Sequence, residues 1–408
     1  MASTASYRDT KSSQLRRAAH SKMSKSEEVT TRPPTAPSYA TSSTQTPKTV
    51  KNATVHDADF EETQLKPRGI EIVTLWDPAL NSSTGTYAYF NSQEPPDSAQ
   101  SREFYRSLVE ESLKGRVEPD IDDSLFLPMD AGFVQSVLTG HHSLGQEGLP
   151  EPEFKLFAFQ KLFIGHHILA KGAGRQLRAV RSVEWSLKPN ESQLWRAPPI
   201  LSGNPLKPFG FDIYSDCQFW LCNRILNPRY RAHTRHTVYL KALGTFCPYF
   251  SIEFKSTIDD TRTVQNQVAA AGSISLFNRY HLKLYANPLP TSEQWKLVCH
   301  YGLTMEKANW AVWLFELKLV NGAWAGCKMR RLDAGSCTDE HEVLGLISWI
   351  NEIHRWGLCT YALECEEDIK RILSKDSKLR VSDIRVPGTD VPGTDAPGTA
   401  VSGTIRSG

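Results

Sequence analysis

The chain is predicted to be an α/β (α+β) protein, a mixed central sheet flanked by helices with a C-terminal strand meander and closing helices. Three observations predict this. Cys247-Pro248-Tyr249-Phe250-Ser251-Ile252-Glu253-Phe254-Lys255 reads as a strand, and its Cys247-to-Ile252 portion is too apolar for a sheet edge. Asp260 to Arg279 follows at once with helical spacing, and its face of Val264, Val268, Ala271, Ile274 and Ser275 is small enough to pack closely on a sheet. Asn321-Gly322, set between two apolar runs, is a two-residue hairpin signal.

The remaining elements fall into place around these. Met1 to about Val55 is rich in Ser, Thr, Ala, Lys and Arg, with only Asp9, Glu27 and Glu28 opposing its basic residues before Asn52. It holds too little apolar surface to offset its ordering entropy, so residues 1–55 are expected to be a disordered basic arm. That arm reads either as a nucleic-acid arm or import signal, or as a solvated tail. Residues 56–150 read as a mixed, largely helical flank. Ile70 to Trp76 looks like a short strand, Ser101 to Lys114 like a helix that Ser101 can cap, and Ser124 to Leu138 continues with apolar residues. Residues 151–376 read as the main domain. Glu153 to Leu169 is expected to be a helix with a wide apolar face, ended by Gly172 and Gly174. A basic patch of Arg175, Arg178 and Arg181 with Trp185 comes next.

Strands are then expected over Phe209 to Leu221, Thr237 to Leu243, Pro248 to Lys255, His281 to Tyr285, Trp295 to Thr304, Trp310 to Val320 and Ala323 to Leu332. Closing helices are expected over Glu340 to Trp356 and Glu364 to Leu373. Residues 377–408 form a low-complexity tail, where Val-Pro-Gly-Thr-Asp repeats from Val386 forbid helix and regular sheet.

Composition bounds the function. Forty per cent apolar residues, with 10 Trp, 17 Phe and 13 Tyr, can build a large core in 408 residues. A formal net charge of +2 carries no global basic signal, so nucleic-acid binding needs a local patch. All eight cysteines lie between Cys217 and Cys365 without Cys-x-x-Cys or zinc-type spacing. The N-terminal stretch lacks the apolar core of a secretory signal, and no apolar run is long enough to span a membrane. The expectation is an intracellular protein of nucleus or cytoplasm, with reduced thiols, no membrane partner and no classical secretion signal.

Glu253 and Lys255 alternate with Ile252 and Phe254, so the two charges share one strand face. Charges at the end of an apolar strand are costly unless they face water, each other or an ion. Two other Glu-x-Lys triplets are read differently. Glu153-Phe154-Lys155 is taken as the solvated start of a helix, and Glu316-Leu317-Lys318 as a solvent-facing row with cross-strand charge partners. An acid to join Glu253 lies on the preceding strand, where Asp212 and Asp216 share a face by parity and stand roughly 13 Å apart. Asp212 is favoured because it follows the Pro208-Phe209-Gly210-Phe211 entry, with Asp216 as the alternative.

This set suits phosphodiester hydrolysis. Two carboxylates, Asp212 and Glu253, supply hard oxygens for Mg²⁺ or Mn²⁺. The cation polarises the phosphate and activates water, while the Lys255 ammonium stabilises developing negative charge. Gln267, or Gln265, offers an amide that orients water or contacts the backbone, or else is an exposed polar residue of the helix. His166-His167 and the loop bearing Arg229, Arg231, His233, Arg235 and His236 are further candidates, the loop as a phosphate-binding patch or a solvated connection.

Pro248 to Ser256, Asn266-Gln267-Val268-Ala269-Ala270-Ala271-Gly272-Ser273, Asn278-Arg279 and Trp349 with His354-Arg355-Trp356-Gly357 together resemble an uncharacterised fungal family with a PD-(D/E)XK restriction-endonuclease-like domain. The resemblance covers roughly Glu153 to Leu373. It implies a core of α-β-β-β-α-β order and a nuclease-like cleft, while the nuclease reading of the site makes DNA or RNA the expected partner. It carries Glu253, Lys255, Gln267 and Asp212 over as site residues. The literal Pro-Asp pair is absent, since Phe209 follows Pro208. The expected function is therefore a metal-dependent nuclease, the alternative a catalytically silent nuclease-like module that binds nucleic acid or protein.

Overall fold

The structure is a computed structural model and describes residues 51–75, 83–115, 123–165, 178–190, 194–203, 205–255 and 261–375. The basic arm before Lys51, His166-His167, Gly172, Gly174, Arg175 and the repeat tail lie outside the described residues. The described residues all belong to one unit, Val50–Gly408.

Seven strands form one mixed sheet: β1 (Ile70–Val73), β2 (Ala179–Ser186), β3 (Tyr214–Cys222), β4 (Thr245–Lys255), β5 (Cys299–Glu306), β6 (Asn309–Val320) and β7 (Ala323–Ser336), in the order β1-β7-β6-β5-β4-β3-β2. The helices are α1 (Ser83–Phe90), α2 (Ser101–Leu113), α3 (Ala131–Gln146), α4 (Glu151–Lys161), the short α5 (Pro228–Arg231), α6 (Thr261–Ala286), the short α7 (Ser292–Lys296), α8 (Glu340–Trp356) and α9 (Ala362–Lys375). Among them, no helix is long and apolar enough to cross a membrane.

β4 is interior, as its composition requires. It pairs antiparallel with β3 and parallel with β5, and every residue but Lys255 is buried. Pro248 has no N–H to give the ladder. It is accommodated where the β3–β4 register shifts, beside Cys247 at φ 41°. Two parallel strands need a crossover, and α6 supplies it between β4 and β5. Its Ala269-Ala270-Ala271-Gly272 run lets it lie close on the sheet; a Cβ at Gly272 would meet the Phe315 ring at 2.3 Å. That face holds Trp220, Trp313 and Phe315 with α6, whereas the opposite face packs Phe219, Tyr301 and Leu314 with Trp349 and Ile353 of α8. Asn321 (φ 52°) and Gly322 (φ 78°) close the β6–β7 hairpin with the two left-handed residues such a turn needs.

The structure corrects several expectations. β3 begins at Tyr214, not Phe209: Phe211 takes φ 52°, which breaks an extended run, and its ring is buried against Phe209. Thr237 to Leu243 is no strand. Thr237 and Val238 both donate to the Thr234 carbonyl in a turn, and Leu243 has φ 60°. His281 to Tyr285 is the last part of α6, because Arg279, Leu282, Lys283 and Ala286 are buried together at helical spacing. Ser101 does not cap α2; its hydroxyl instead bonds the Leu127 carbonyl and the Met129 N–H. Ala53 and Val55, expected in the arm, are buried, and the Ala53 N–H bonds the Pro208 carbonyl.

Candidate functional site

The start of β3 and the end of β4 are neighbours because the two strands run antiparallel, and their polar residues meet there. Glu253 is 1% exposed. Its carboxyl accepts from the Ser215 hydroxyl at 2.7 Å and, more distantly, from the Asp216 N–H at 3.4 Å. Asp216 returns the contact by accepting from the Phe254 N–H at 2.8 Å. Its other carboxylate oxygen takes the Lys155 ammonium at 2.6 Å. Lys155 also reaches Glu184 at 2.9 Å. Lys255 donates to the Phe254 carbonyl at 2.9 Å and lies 4.0 Å from Glu151.

Each side chain is positioned by a regular element. Glu151, Lys155 and Phe159 recur every fourth residue of α4 and so form one stripe on the helix. That stripe lies over the strand ends: Glu151 towards Lys255, Lys155 on Asp216, and Phe159 edge-on to Phe254 at 5.5 Å between ring centroids. Arg181 of β2 holds the helix in place, donating to the Phe159 carbonyl at 3.0 Å. Glu184 sits in β2 at φ 52°, between the paired residues Val183↔Cys217 and Trp185↔Ser215.

The electrostatics follow from this placement. Burial and then the adjacent Asp216 charge push the Glu253 carboxyl well above its ordinary value, against the opposing pull of Ser215, the Asp216 N–H and Lys255. Four carboxylates, at Asp216, Glu253, Glu184 and Glu151, surround two ammonium groups, at Lys155 and Lys255. Among the described residues, no group of three or more His, Cys, Asp or Glu side chains is gathered to hold a metal. A cation here would rest on two carboxylates, with water and substrate oxygens completing its shell, as Mg²⁺ commonly does. Asp216 and Glu253 fit that role. They are hard oxygen donors on adjacent strand ends, the Asp216 charge opposes ionisation of Glu253, and each bonded carboxylate oxygen retains acceptor capacity.

Of the expected site residues, Glu253 and Lys255 are at this centre. Asp212 is not. It lies before β3 in the segment interrupted at Phe211, is half exposed, and pairs with Lys188 at 3.5 Å. The strand parity that set it beside Asp216 does not extend that far, and Asp216 is the acid whose backbone N–H meets the Glu253 carboxyl. Gln267 and Gln265 are half-buried on α6, and no described hydrogen bond joins either to Asp216, Glu253 or Lys255. Lys155, expected as a solvated helix end, is instead 16% exposed and paired. The signal that could have revealed it is the four-residue spacing of Glu151, Lys155 and Phe159. Glu316 and Lys318 make the expected partnerships, with Arg330 at 3.2 Å and Glu71 at 2.8 Å.

The basic loop leaves the opposite end of β3, away from Ser215. Arg231 donates there to the Leu226 and Arg224 carbonyls, and the His233 and His236 rings stand 6.5 Å apart. A cavity of about 430 Å³ lined by His141, Phe154, Glu306 and Lys307 lies by the end of β5. A larger one, about 710 Å³ and lined by Tyr89, Trp295, Tyr301 and Trp356, lies by its start. Comparison with family models, curated proteins and solved structures finds no match to this chain.

Proposed function

We propose that this chain is a metal-dependent nuclease-like protein of the PD-(D/E)XK type, hydrolysing phosphodiester bonds of DNA or RNA. The observation that carries the reading is the meeting of Asp216 with Glu253, two residues before Lys255, at the ends of adjacent strands. With the short α5 and α7 set aside, the order α4-β2-β3-β4-α6-β5 supports it. It has an antiparallel β2-β3-β4 meander and a parallel β5 after the crossover helix, in the α-β-β-β-α-β sequence expected of a restriction-endonuclease-like core.

In this reading Asp216 and Glu253 hold Mg²⁺ or Mn²⁺, which would supply charge neutralisation at the phosphate and a more acidic bound water. The chain's own groups do the rest. Glu253 gives up its proton to become a ligand, and Ser215 orients its carboxyl from 2.7 Å. Lys255 sets an ammonium beside the reacting phosphate, where it stabilises negative charge that grows in the transition state. Burial of Glu253 and Phe254 limits water around these charges and strengthens their interactions.

A second reading, a catalytically silent module that binds nucleic acid or protein, is favoured by one observation: an ammonium, that of Lys155, already lies on Asp216. The deciding assay is Mg²⁺- or Mn²⁺-dependent cleavage of single- and double-stranded DNA and RNA, with a chelator control. Glu253→Gln is expected to weaken metal binding. Lys255→Ala is expected to keep the metal and lose about 10²–10³ in rate. Cleavage that survives both substitutions removes the site from the reaction. Nucleic-acid binding without cleavage by the unmodified protein selects the silent module.

A further inference from the structure

Lys155 is the group at the site that neither the strand pattern nor the resemblance assigns. Its ammonium lies 2.6 Å from Asp216 and 2.9 Å from Glu184, and its side chain is 16% exposed. It arrives from a helix rather than from the strands that carry Asp216 and Glu253. That helix is fixed to the sheet by Arg181 and by the contact of Phe159 with Phe254. The Asp216 charge opposes ionisation of the neighbouring Glu253, and a cation between or beside two such carboxyls relieves the repulsion. In this structure the cation on Asp216 is an ammonium.

We infer that Lys155 is a positioning residue that serves as the stand-in cation of the metal-free site, occupying Asp216 until a divalent ion displaces its ammonium. The inference rests on the reading of Asp216 and Glu253 as metal ligands. Three features of the geometry support it. The ammonium bonds directly to Asp216, so a divalent ion drawn to both carboxylates competes with it for the same charge. Lysine suits this better than arginine, because a compact ammonium on a flexible stem can leave without breaking a two-pronged bond. Glu184 offers it a place to go, since it is already in contact with Lys155 and is 65% exposed. The exchange involves no covalent step: one ion pair opens, Lys155 stays paired with Glu184, and the divalent ion takes the freed carboxylate oxygen.

A purely structural lysine makes a different prediction. If Lys155 only ties α4 to the sheet, its loss lowers stability and leaves metal affinity unchanged or weaker. As a stand-in cation, its loss raises metal affinity, because the divalent ion no longer has a competitor.

The experiment is isothermal titration of Mn²⁺ into the full chain at low ionic strength, comparing the unmodified protein with Lys155→Met, Lys155→Gln and Lys155→Arg. Removing one competing charge at this range is expected to tighten Mn²⁺ binding about tenfold in Lys155→Met. Lys155→Gln, whose amide can still donate to Asp216, gives the same direction should the methionine variant not fold. Lys155→Arg, which keeps the charge and grips the carboxylate in two places, is expected to bind no tighter than the unmodified protein. Equal or weaker binding by the uncharged variants, with the unmodified protein binding normally, overturns the inference and leaves the metal site standing. If neither the unmodified protein nor the uncharged variants bind Mn²⁺, the metal reading fails and the inference falls with it. Binding by the uncharged variants alone supports the inference and identifies Lys155 as what keeps the site silent.

Discussion

Two clusters of charge among the described residues are built on opposite plans. Between α6 and α9, Arg279 bonds Asp368 at 2.6 Å, while Lys283 bonds Asp368 at 3.0 Å and Glu364 at 2.8 Å. Arg279, Lys283 and Asp368 are each almost wholly inaccessible, and two cations meet two carboxylates. At the ends of β3 and β4, acidic side chains outnumber ammonium groups, and the Glu253 carboxyl accepts from the backbone N–H of the neighbouring acid Asp216. The first cluster is balanced in charge, so no net charge is left to attract an ion. The second sets Asp216 beside a Glu253 carboxyl whose ionisation burial and the Asp216 charge oppose, an arrangement that a bound cation would stabilise. Each has buried members; the balance of charge separates a clamp from a site.

The largest expected effect belongs to the balanced cluster. Asp368→Ala would strand Arg279 without its acid and leave Lys283 with Glu364 alone. Removing one member of a buried ion pair typically costs about 3–5 kcal/mol. Denaturant unfolding should register that loss, while Mn²⁺ affinity of the folded protein stays unchanged. A fall in metal affinity as large as that of a site variant would show that the two clusters are not independent. Asp216→Asn should invert the pattern. Mn²⁺ binding is expected to weaken about tenfold or more, equivalent to about 1.4 kcal/mol or more, with a smaller change in unfolding midpoint. A large stability loss with intact metal binding would make Asp216 part of a clamp instead.

How far the sequence reveals these plans depends on which interactions are local. β4 and the first five turns of α6 were legible, because burial on both faces and a small-residue stripe are written in consecutive residues. So was the Asn321-Gly322 turn, whose left-handed backbone follows from the residue types. Arg279 and Lys283 were not legible as a clamp. Their partner lies about ninety residues away, and the alternation of His281-Leu282-Lys283-Leu284 imitates a strand until that partner is in place. Lys155 was misread for the same reason: a charge on a helix start looks solvated until the helix is laid on the sheet. Glu253 and Lys255 could be named in advance because their own strand makes their burial costly. Their partner acid depended on the backbone at Phe211, a conformation rarely adopted by bulky residues.

A smaller effect tests the imbalance itself. Burial and Asp216 raise the Glu253 carboxyl well above the ordinary 4.5. A carboxyl raised on folding adds stability below its unfolded value, and that stability is lost as pH climbs through the raised value. In chelator, the unmodified protein should therefore lose stability as pH rises above about 4.5, and Glu253→Gln should flatten that slope. If the relief amounts to about 1 kcal/mol, the melting temperature of the variant rises by about 1–2 °C. Mn²⁺ reverses the order, since metal uptake needs the ionised carboxyl, releases a proton and strengthens over the same pH range. An unmodified protein whose metal-free stability does not fall over that range would mean that Glu253 is not held protonated, and the contrast with the balanced cluster would lose its electrostatic basis.

The smallest expected effect is the sharpest internal control. Asp212 and Asp216 are four residues apart, both acidic, and equivalent by strand parity. The structure gives Asp212 a half-exposed pairing with Lys188 at 3.5 Å and Asp216 the contacts with Glu253, Phe254 and Lys155. An exposed pair of this kind is worth about 0–1 kcal/mol. Asp212→Asn should therefore shift the unfolding midpoint barely measurably and leave both Mn²⁺ titration and cleavage as they are. The measurement is the same titration and the same nucleic-acid substrates used for Asp216→Asn, run side by side. A loss of metal binding in Asp212→Asn with Asp216→Asn intact would mean that the segment before β3 swings in to the site when metal arrives, so that the first acid is set by the bound state. Equal loss in both would bring a third carboxylate to the cation and widen the imbalance that distinguishes this cluster from the one between α6 and α9.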